Sequence, residues 1–253
     1  MHDPRRSRTP SERDIAALTF IGEGYEVAQY QLHAAIFPNV SAVVVSHFVT
    51  RAVRNGWIAV ERWNRVGINR LRLTAEGRET VVRAGGDRSS VFVPRRPVAT
   101  KDVVHTLWIN DVRVALRDHY ASFDAILAAW QLQRRLTPAP SAIPDVLAIR
   151  RPHMNRPGLV CACEIDLGGE RLVRTFLPKL VKLHGLVCEW SGGADSTILV
   201  FTQQAQRMAA INEFAISRRM RVIARTLPPS AGPEGLRSLA NLIASAVDRI
   251  AAG

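Results

Sequence analysis

Residues 161–169 read CACEIDLGG, a short apolar strand that carries two carboxylates, Glu164 and Asp166, two positions apart. Successive side chains on a strand point to opposite faces, so both acids share a face with Ala162, while Cys161, Cys163 and Ile165 line the other. Carboxylates on a sheet face have to be solvated, paired with cations or bound to metal. Whatever packs on that face must supply one of the three.

The flanks of this strand suggest its surroundings. PDVLAIR is a second strand-like run, and the turn-rich RPHMNRPG between the two predicts an antiparallel hairpin. GGERLVRTFLPKLVKLHG follows as a helix ending at Gly185. STILVF then reads as a strand, QQAQRMAAINEFAISRR as a helix and MRVIART as a strand, which makes one βαβ unit. A last helix runs from about Pro233 to Ile250. Upstream, KDVVHTLWINDVRVALRDHY repeats apolar residues at Val104, Leu107, Trp108, Val112, Ala115 and Leu116, as a core-facing helix does. FDAILAAWQLQRRL is apolar but of open type, with Trp130 expected in the core. Residues 101–253 are therefore expected to form an α/β domain with a mixed sheet.

Residues 12–83 follow another order. ERDIAALTFIG places Ile15, Leu18 and Ile21 on one side of a helix entered through Ser11 as a cap. VAQYQLHAAIF predicts a second helix with Val27, Tyr30, Ala34 and Phe37 on one side. Pro38 and Asn39 break the chain, and Ser41 caps a third helix through Asn55. Its inward stripe is Phe48, Val49, Ala52 and Val53, which leaves His47, Thr50, Arg51 and Arg54 outside. After Gly56, WIAVERW and INRLRLT read as two strands joined around residues 64–67, and TAEGRETVV resumes as a helix. Residues 1–11 are read as a flexible basic N-terminus. Residues 84–100, rich in Gly, Ser, Pro and Arg, are read as a linker.

The formal charge is +12 and the isoelectric point near 11.0, which favours a polyanionic partner, most economically nucleic acid. The excess is not confined to a tail, since the first 100 residues hold 15 of the 34 basic and 9 of the 22 acidic residues. A merely solvated arginine surface is the plain alternative. Only three lysines occur, Lys101, Lys179 and Lys182, so a lysine in an acidic neighbourhood stands out. Three cysteines make no disulfide framework, and MHDPRRSRTPSERD lacks the apolar run of a secretory signal, so a cytoplasmic location is expected, with no membrane partner. Cys161, Cys163, Cys188 and His184 match no strong zinc spacing and read as reduced thiols and a histidine. SGGADS at 191–196 lacks the lysine of a phosphate loop and reads as a turn.

Three helices followed by a basic hairpin resemble the winged helix-turn-helix plan. VSHFVTRAVRNGWI and RLRLTAEGR look like the third helix, wing and closing helix of bacterial winged-helix regulators. On that plan Ser41 opens the reading helix, His47, Thr50 and Arg51 meet base edges, and Arg54 meets phosphate. Wing residues Arg62, Arg65 and Arg70 reach backbone or minor groove. The implied partner is double-stranded DNA, bound by a homodimer. A winged helix used for protein contacts is the alternative.

In the second domain, Asp145 after Pro144 at the head of one strand, and Glu164 on its partner, resemble the PD-(D/E)xK nuclease fold. In that fold the Asp and Glu hold a divalent metal, and a lysine two residues after the Glu helps to activate water. Asp166 occupies that lysine position here; Lys179 or Lys182 on the following helix could stand in. The full order HTLWINDVRVAL, IPDVLAI, CEIDLGGE and LPKLVKL is similar to the replication-relaxation family of bacterial mobile elements. That resemblance implies DNA binding in the maintenance of plasmids or conjugative elements. Two functional expectations result. The first is a regulator of transcription, replication or transfer that binds DNA through the winged helix, with an inactive nuclease-like domain for assembly or added DNA contact, and with no cofactor. The second is an endonuclease or nickase using Asp145, Glu164 and Asp166 with Lys179 or Lys182, in which Asp145 and Glu164 hold Mg²⁺. The departure at Asp166 sets the first ahead. Against both stands simple pairing of the acids with Arg150, Arg171 or Arg174.

Overall fold

A computed structural model describes residues 9–63, 67–119, 123–138, 140–153, 157–192 and 194–251. The chain divides into two units, Met1–Leu107 and Trp108–Gly253. It is an α/β protein with a three-stranded antiparallel sheet in the first unit and a five-stranded mixed sheet in the second.

In the first unit, α1 (Glu12–Glu23) starts at Ser11 because two end groups satisfy each other. The Ser11 hydroxyl accepts from the Asp14 N–H, and the Asp14 carboxylate accepts from the Ser11 N–H. Ala17, Leu18, Phe20 and Ile21 bury the inner face. Then come β1 (Val27–Ala28), α2 (Gln29–Ile36), α3 (Ala42–Arg54), β2 (Ile58–Trp63), β3 (Ile68–Leu73) and α4 (Ala75–Arg83), with strand order β1-β3-β2. The second helix begins two residues later than its periodicity predicts. Val27 and Ala28 pair instead with Leu71 and Arg70, and the Gln31 side chain accepts from the Ala28 N–H at 2.8 Å to open the helix. Its buried positions are Gln31 and Leu32, where Tyr30 and Ala34 were expected, because the Gln31 amide donates to the Leu107 carbonyl. In α3 the inward stripe includes Val45, while Val53 is 45% exposed and turns outward.

The LTAEG sequence marks a close packing point. Thr74 caps α4 by accepting from the Gly77 N–H, and its hydroxyl donates to the Trp57 carbonyl at 2.9 Å. A Cβ at Gly77 would lie 2.1 Å from that carbonyl oxygen, so only glycine lets α4 sit there. The segment expected as a linker is packed on this unit. Val91 is buried, the Phe92 N–H donates to the Gly22 carbonyl, and the Phe92 ring stacks on Tyr25 at 4.9 Å. Two apolar residues among arginines and prolines suffice to anchor it. The division between units falls later, inside α5 (Val103–His119).

The second unit continues with β4 (Ala125–Ala128), α6 (Ala129–Arg135), β5 (Val146–Arg150), β6 (Leu159–Asp166), α7 (Leu177–Ser191), β7 (Asp195–Thr202), α8 (Ala205–Ser217), β8 (Val222–Thr226) and α9 (Pro233–Ala251). The sheet order is β4-β5-β6-β7-β8; β4 to β6 pair antiparallel and β6 to β8 parallel, as the hairpin and βαβ readings require. The open segment at 123–136 splits into β4 and α6, and Trp130 is half-buried beneath Arg134 instead of lying in the core. One sheet face, with Leu147, Ala162, Ile198, Val200 and Ala224, packs against Leu180, Leu183 and Val187 of α7 and Ile211 and Ala215 of α8. α9 packs on β7. The helix expected to stop at Gly185 runs on to Ser191 and ends at Gly192 in the left-handed region (φ 54°). Burial of Leu183 and Val187 on the sheet outweighs the propensity cost of a mid-helix glycine, about 1 kcal/mol. No helix among the described residues is long and apolar enough to cross a membrane.

Replacing Gly77 by Ala is expected to destabilise the first unit by about 2 kcal/mol or more, because backbone must move. Ala at Gly185, where a Cβ meets open space, is expected to be neutral or stabilising. Thermal unfolding of the two variants checks the contrast.

Candidate functional site

Each unit offers one constellation. In the first, α3 turns Val45, Phe48, Val49 and Ala52 inward, and the opposite face carries Val43, His47, Thr50 and Arg54 in steps of four, three and four residues. At about 100° per residue these four form one line. All four are exposed, and α3 contains no acidic residue. Ser46, beside the line, is held by the Gln29 amide at 3.0 Å. Arg62 is exposed near the end of β2, towards the hairpin tip. Arg65 lies outside the described residues.

Two expected DNA contacts, Arg70 and Arg51, have other roles, and a third, Ser41, is exposed at the start of α3. Arg70 is 5% exposed: its guanidinium bonds Glu26 at 3.0 Å and Glu61 at 3.0 Å, so this arginine belongs to the interior of the hairpin and not to its outer surface. Burial raises the Glu26 pKa, an effect that Arg70, the Val98 N–H and Arg72 oppose. Arg51 is ion-paired to Asp14 of α1 and lies over the Phe48 ring, so it ties α3 to α1 and is only half available to a ligand. Ser41 takes the N-cap position of α3 with an extended backbone, but its side chain makes no capping bond.

In the second unit, Asp145, Glu164 and Lys179 come together where the start of β5 meets the end of β6. Asp145 precedes β5 and its Oδ2 accepts from the Ile165 N–H at 2.8 Å. Glu164, 2% exposed, accepts from Lys179 Nζ at 2.7 Å. Burial alone would lower the Lys179 pKa, but the Glu164 charge and hydrogen bond, with the charges of Asp145 and Glu170, outweigh it and raise it above the ordinary lysine value. α7 thus supplies a lysine to the Asp145–Glu164 pair.

Asp166 is not part of this group. Arg207 of α8 grips it with two bonds of 2.5 and 2.9 Å, the Gly168 N–H adds a third, and Arg207 itself lies over Phe176. Lys182, one turn beyond Lys179, is exposed. The two acids thus find Lys179 and Arg207, not the sequence neighbours Arg150, Arg171 or Arg174. Sequence spacing carries no signal for Arg207, forty-one residues from Asp166; Val43, by contrast, was readable from its periodicity with His47, Thr50 and Arg54.

Cys161 and Cys163 are buried free thiols, and the Cys163 pKa is pushed well up by its bond with Cys161 and by burial. Exposed Cys188 lies 3.8 Å from His184, whose pKa burial lowers. Among the described residues no three His, Cys, Asp or Glu side chains are grouped to hold a metal. Asp145 and Glu164 are a pair of hard oxygen donors, a number that suits Mg²⁺ when waters and phosphate complete its shell.

No family model, curated protein or solved structure matches the chain. The likeness to the replication-relaxation family rests on the motifs quoted above.

The Lys179–Glu164 pair sets a pH window. Because the folded-state lysine pKa is raised, its stabilisation is complete below the unfolded value, about 10.4, and is lost as pH rises through the folded value. Lys179→Met, which strands a buried carboxylate, is expected to cost about 2–4 kcal/mol at pH 7 and to remove that alkaline step. Adding Glu164→Gln should recover much of the loss. Denaturant unfolding at pH 7 to 11 measures both.

Proposed function

We propose that the protein binds double-stranded DNA through α3 and the β2–β3 hairpin, as a winged helix does, and regulates transcription or the replication or transfer of a plasmid or other mobile element. The observation that carries the reading is the face of α3: an exposed line of Val43, His47, Thr50 and Arg54, without an acid, opposite a fully buried stripe. A helix of this kind fits a major groove about 12 Å wide, and its polar side chains can meet base edges. Arg54 and Arg62 supply exposed cations for phosphates at either end of such an interface. The overall charge of +12 adds attraction to any polyanion. Arg70 drops out of the DNA-facing set, and Arg51 serves first as a tie to Asp14.

The test is binding to duplex DNA over a range of salt. Arg54→Ala and Arg62→Ala are each expected to weaken binding on every sequence and to reduce the slope of log affinity against log salt by about one for each phosphate left without its arginine. Unchanged affinity and slope in the double variant would remove α3 and the hairpin as the DNA surface.

A second reading is favoured by the 2.7 Å contact between Lys179 and Glu164. It brings the lysine back to the acidic pair from the helix, as a metal-dependent DNA nickase or endonuclease would need. Asp145 and Glu164 would hold Mg²⁺, which when bound lowers the pKa of water and polarises phosphate. Lys179 would keep its ammonium beside the pair and offer its protons to a phosphate oxygen. On this reading supercoiled DNA is nicked in Mg²⁺ or Mn²⁺, and Glu164→Gln, which keeps a hydrogen-bonding partner for Lys179, abolishes nicking. Binding without nicking leaves the second unit as a scaffold and the first reading alone.

A further inference from the structure

The exposed line of α3 is not polar throughout. Val43, in the first turn, is 60% exposed and its neighbour Val44 is 41% exposed, on a helix that otherwise buries Val45, Phe48, Val49 and Ala52. Val43 stands four, seven and eleven residues before His47, Thr50 and Arg54, so it heads the same face. The partner that fits must accept an apolar tip at the amino-terminal end of the helix and a cation at the other. The cationic end and the absence of acid from α3 disfavour an electropositive partner, and the exposed apolar part at the amino-terminal end is two adjacent valines, with exposed Val53 set apart near the other end of the helix. That is narrower than the several hundred Å² of a typical protein-docking patch.

In the major groove, the base edges of A, G and C present donors and acceptors, and only thymine adds a methyl group. Recognition helices reach base edges chiefly with their amino-terminal residues. We infer that Val43 packs on a thymine 5-methyl group, so that the protein selects duplexes carrying thymine at one fixed position in each site. The inference deepens the DNA-binding reading and rests on it. His47 follows one turn later, at the next base step, and Arg54 anchors the far end to phosphate. Val44, about 100° round the helix, closes the side of the methyl contact away from water.

The experiment starts from duplexes enriched by the intact protein from a randomised library at moderate salt. Each thymine is then replaced singly by deoxyuridine, which removes the methyl and leaves the hydrogen-bonding edge unchanged. One thymine per site is expected to show a penalty of about fourfold, the worth of one methyl group removed from water. In Val43→Ala, a surface change whose folding is checked by thermal unfolding, that penalty disappears while the salt slope stays as in the wild type. Enriched duplexes that show no deoxyuridine penalty, or an equal penalty in Val43→Ala, overturn this inference and leave the DNA-binding reading standing. If no duplex is bound even at low salt, the parent reading falls and this one falls with it.

Discussion

Two carboxylates on a fully buried central strand are the constraint to which the second unit is built. All eight residues of β6 are buried, and Glu164 and Asp166 both point to the face that α7 and α8 cover. An unpaired buried carboxylate costs several kcal/mol, so each needs a cation delivered by whatever packs above it. Lys179 comes from α7, the connection between β6 and β7, and Arg207 comes from α8, the connection between β7 and β8. Parallel pairing forces those connections across the face in any case. The ion pairs then fix how far along the sheet each helix lies, because a shift of one turn would take the cation out of reach.

The first unit sorts its arginines by the same rule. Glu26 is buried at the end of the turn before β1, and it draws Arg70 inward from a strand whose sequence reads as exposed wing. Asp14, fixed by its capping role at Ser11, draws Arg51 back onto α1. On α3 and the hairpin this leaves Arg54 and Arg62 exposed, as Arg13, Arg95 and Arg96 are elsewhere in the unit. Cations used inside the fold are not available to a ligand, and Arg54 of α3 and Arg62 of the hairpin are among those left exposed. A cluster of basic residues in a sequence overstates the surface available for DNA in proportion to the buried acids that claim it.

Much of the fold was legible in local pattern. The caps at Ser11 and Thr74 rest on contacts within three residues, and the β5–β6 hairpin and the βαβ unit over 195–226 join strands consecutive in the chain, whose periodicity and connections are read locally. The misreadings share another. Val27 and Ala28 carry helical periodicity but pair with Leu71 and Arg70; Gly185 is a stop signal inside a helix held by Leu183 and Val187; Val91 and Phe92 lie in a linker-like sequence but bury against α1. In all three, contacts distant in sequence outweigh a local preference worth about 1 kcal/mol or less.

By itself, then, the sequence determined most of the element types, the shared face of Glu164 and Asp166, the outward side of His47, Thr50 and Arg54 on α3 and the excess of positive charge. These follow from periods of 3.6 and 2 and from composition, which need no knowledge of the partner element. Only the tertiary structure decided which cation meets which acid: Lys179 with Glu164, Arg207 with Asp166, Arg70 with Glu26. Charge pairing acts through a few ångströms of space while the partners stand 15 to 44 residues apart in the chain, and no spacing rule spans that distance.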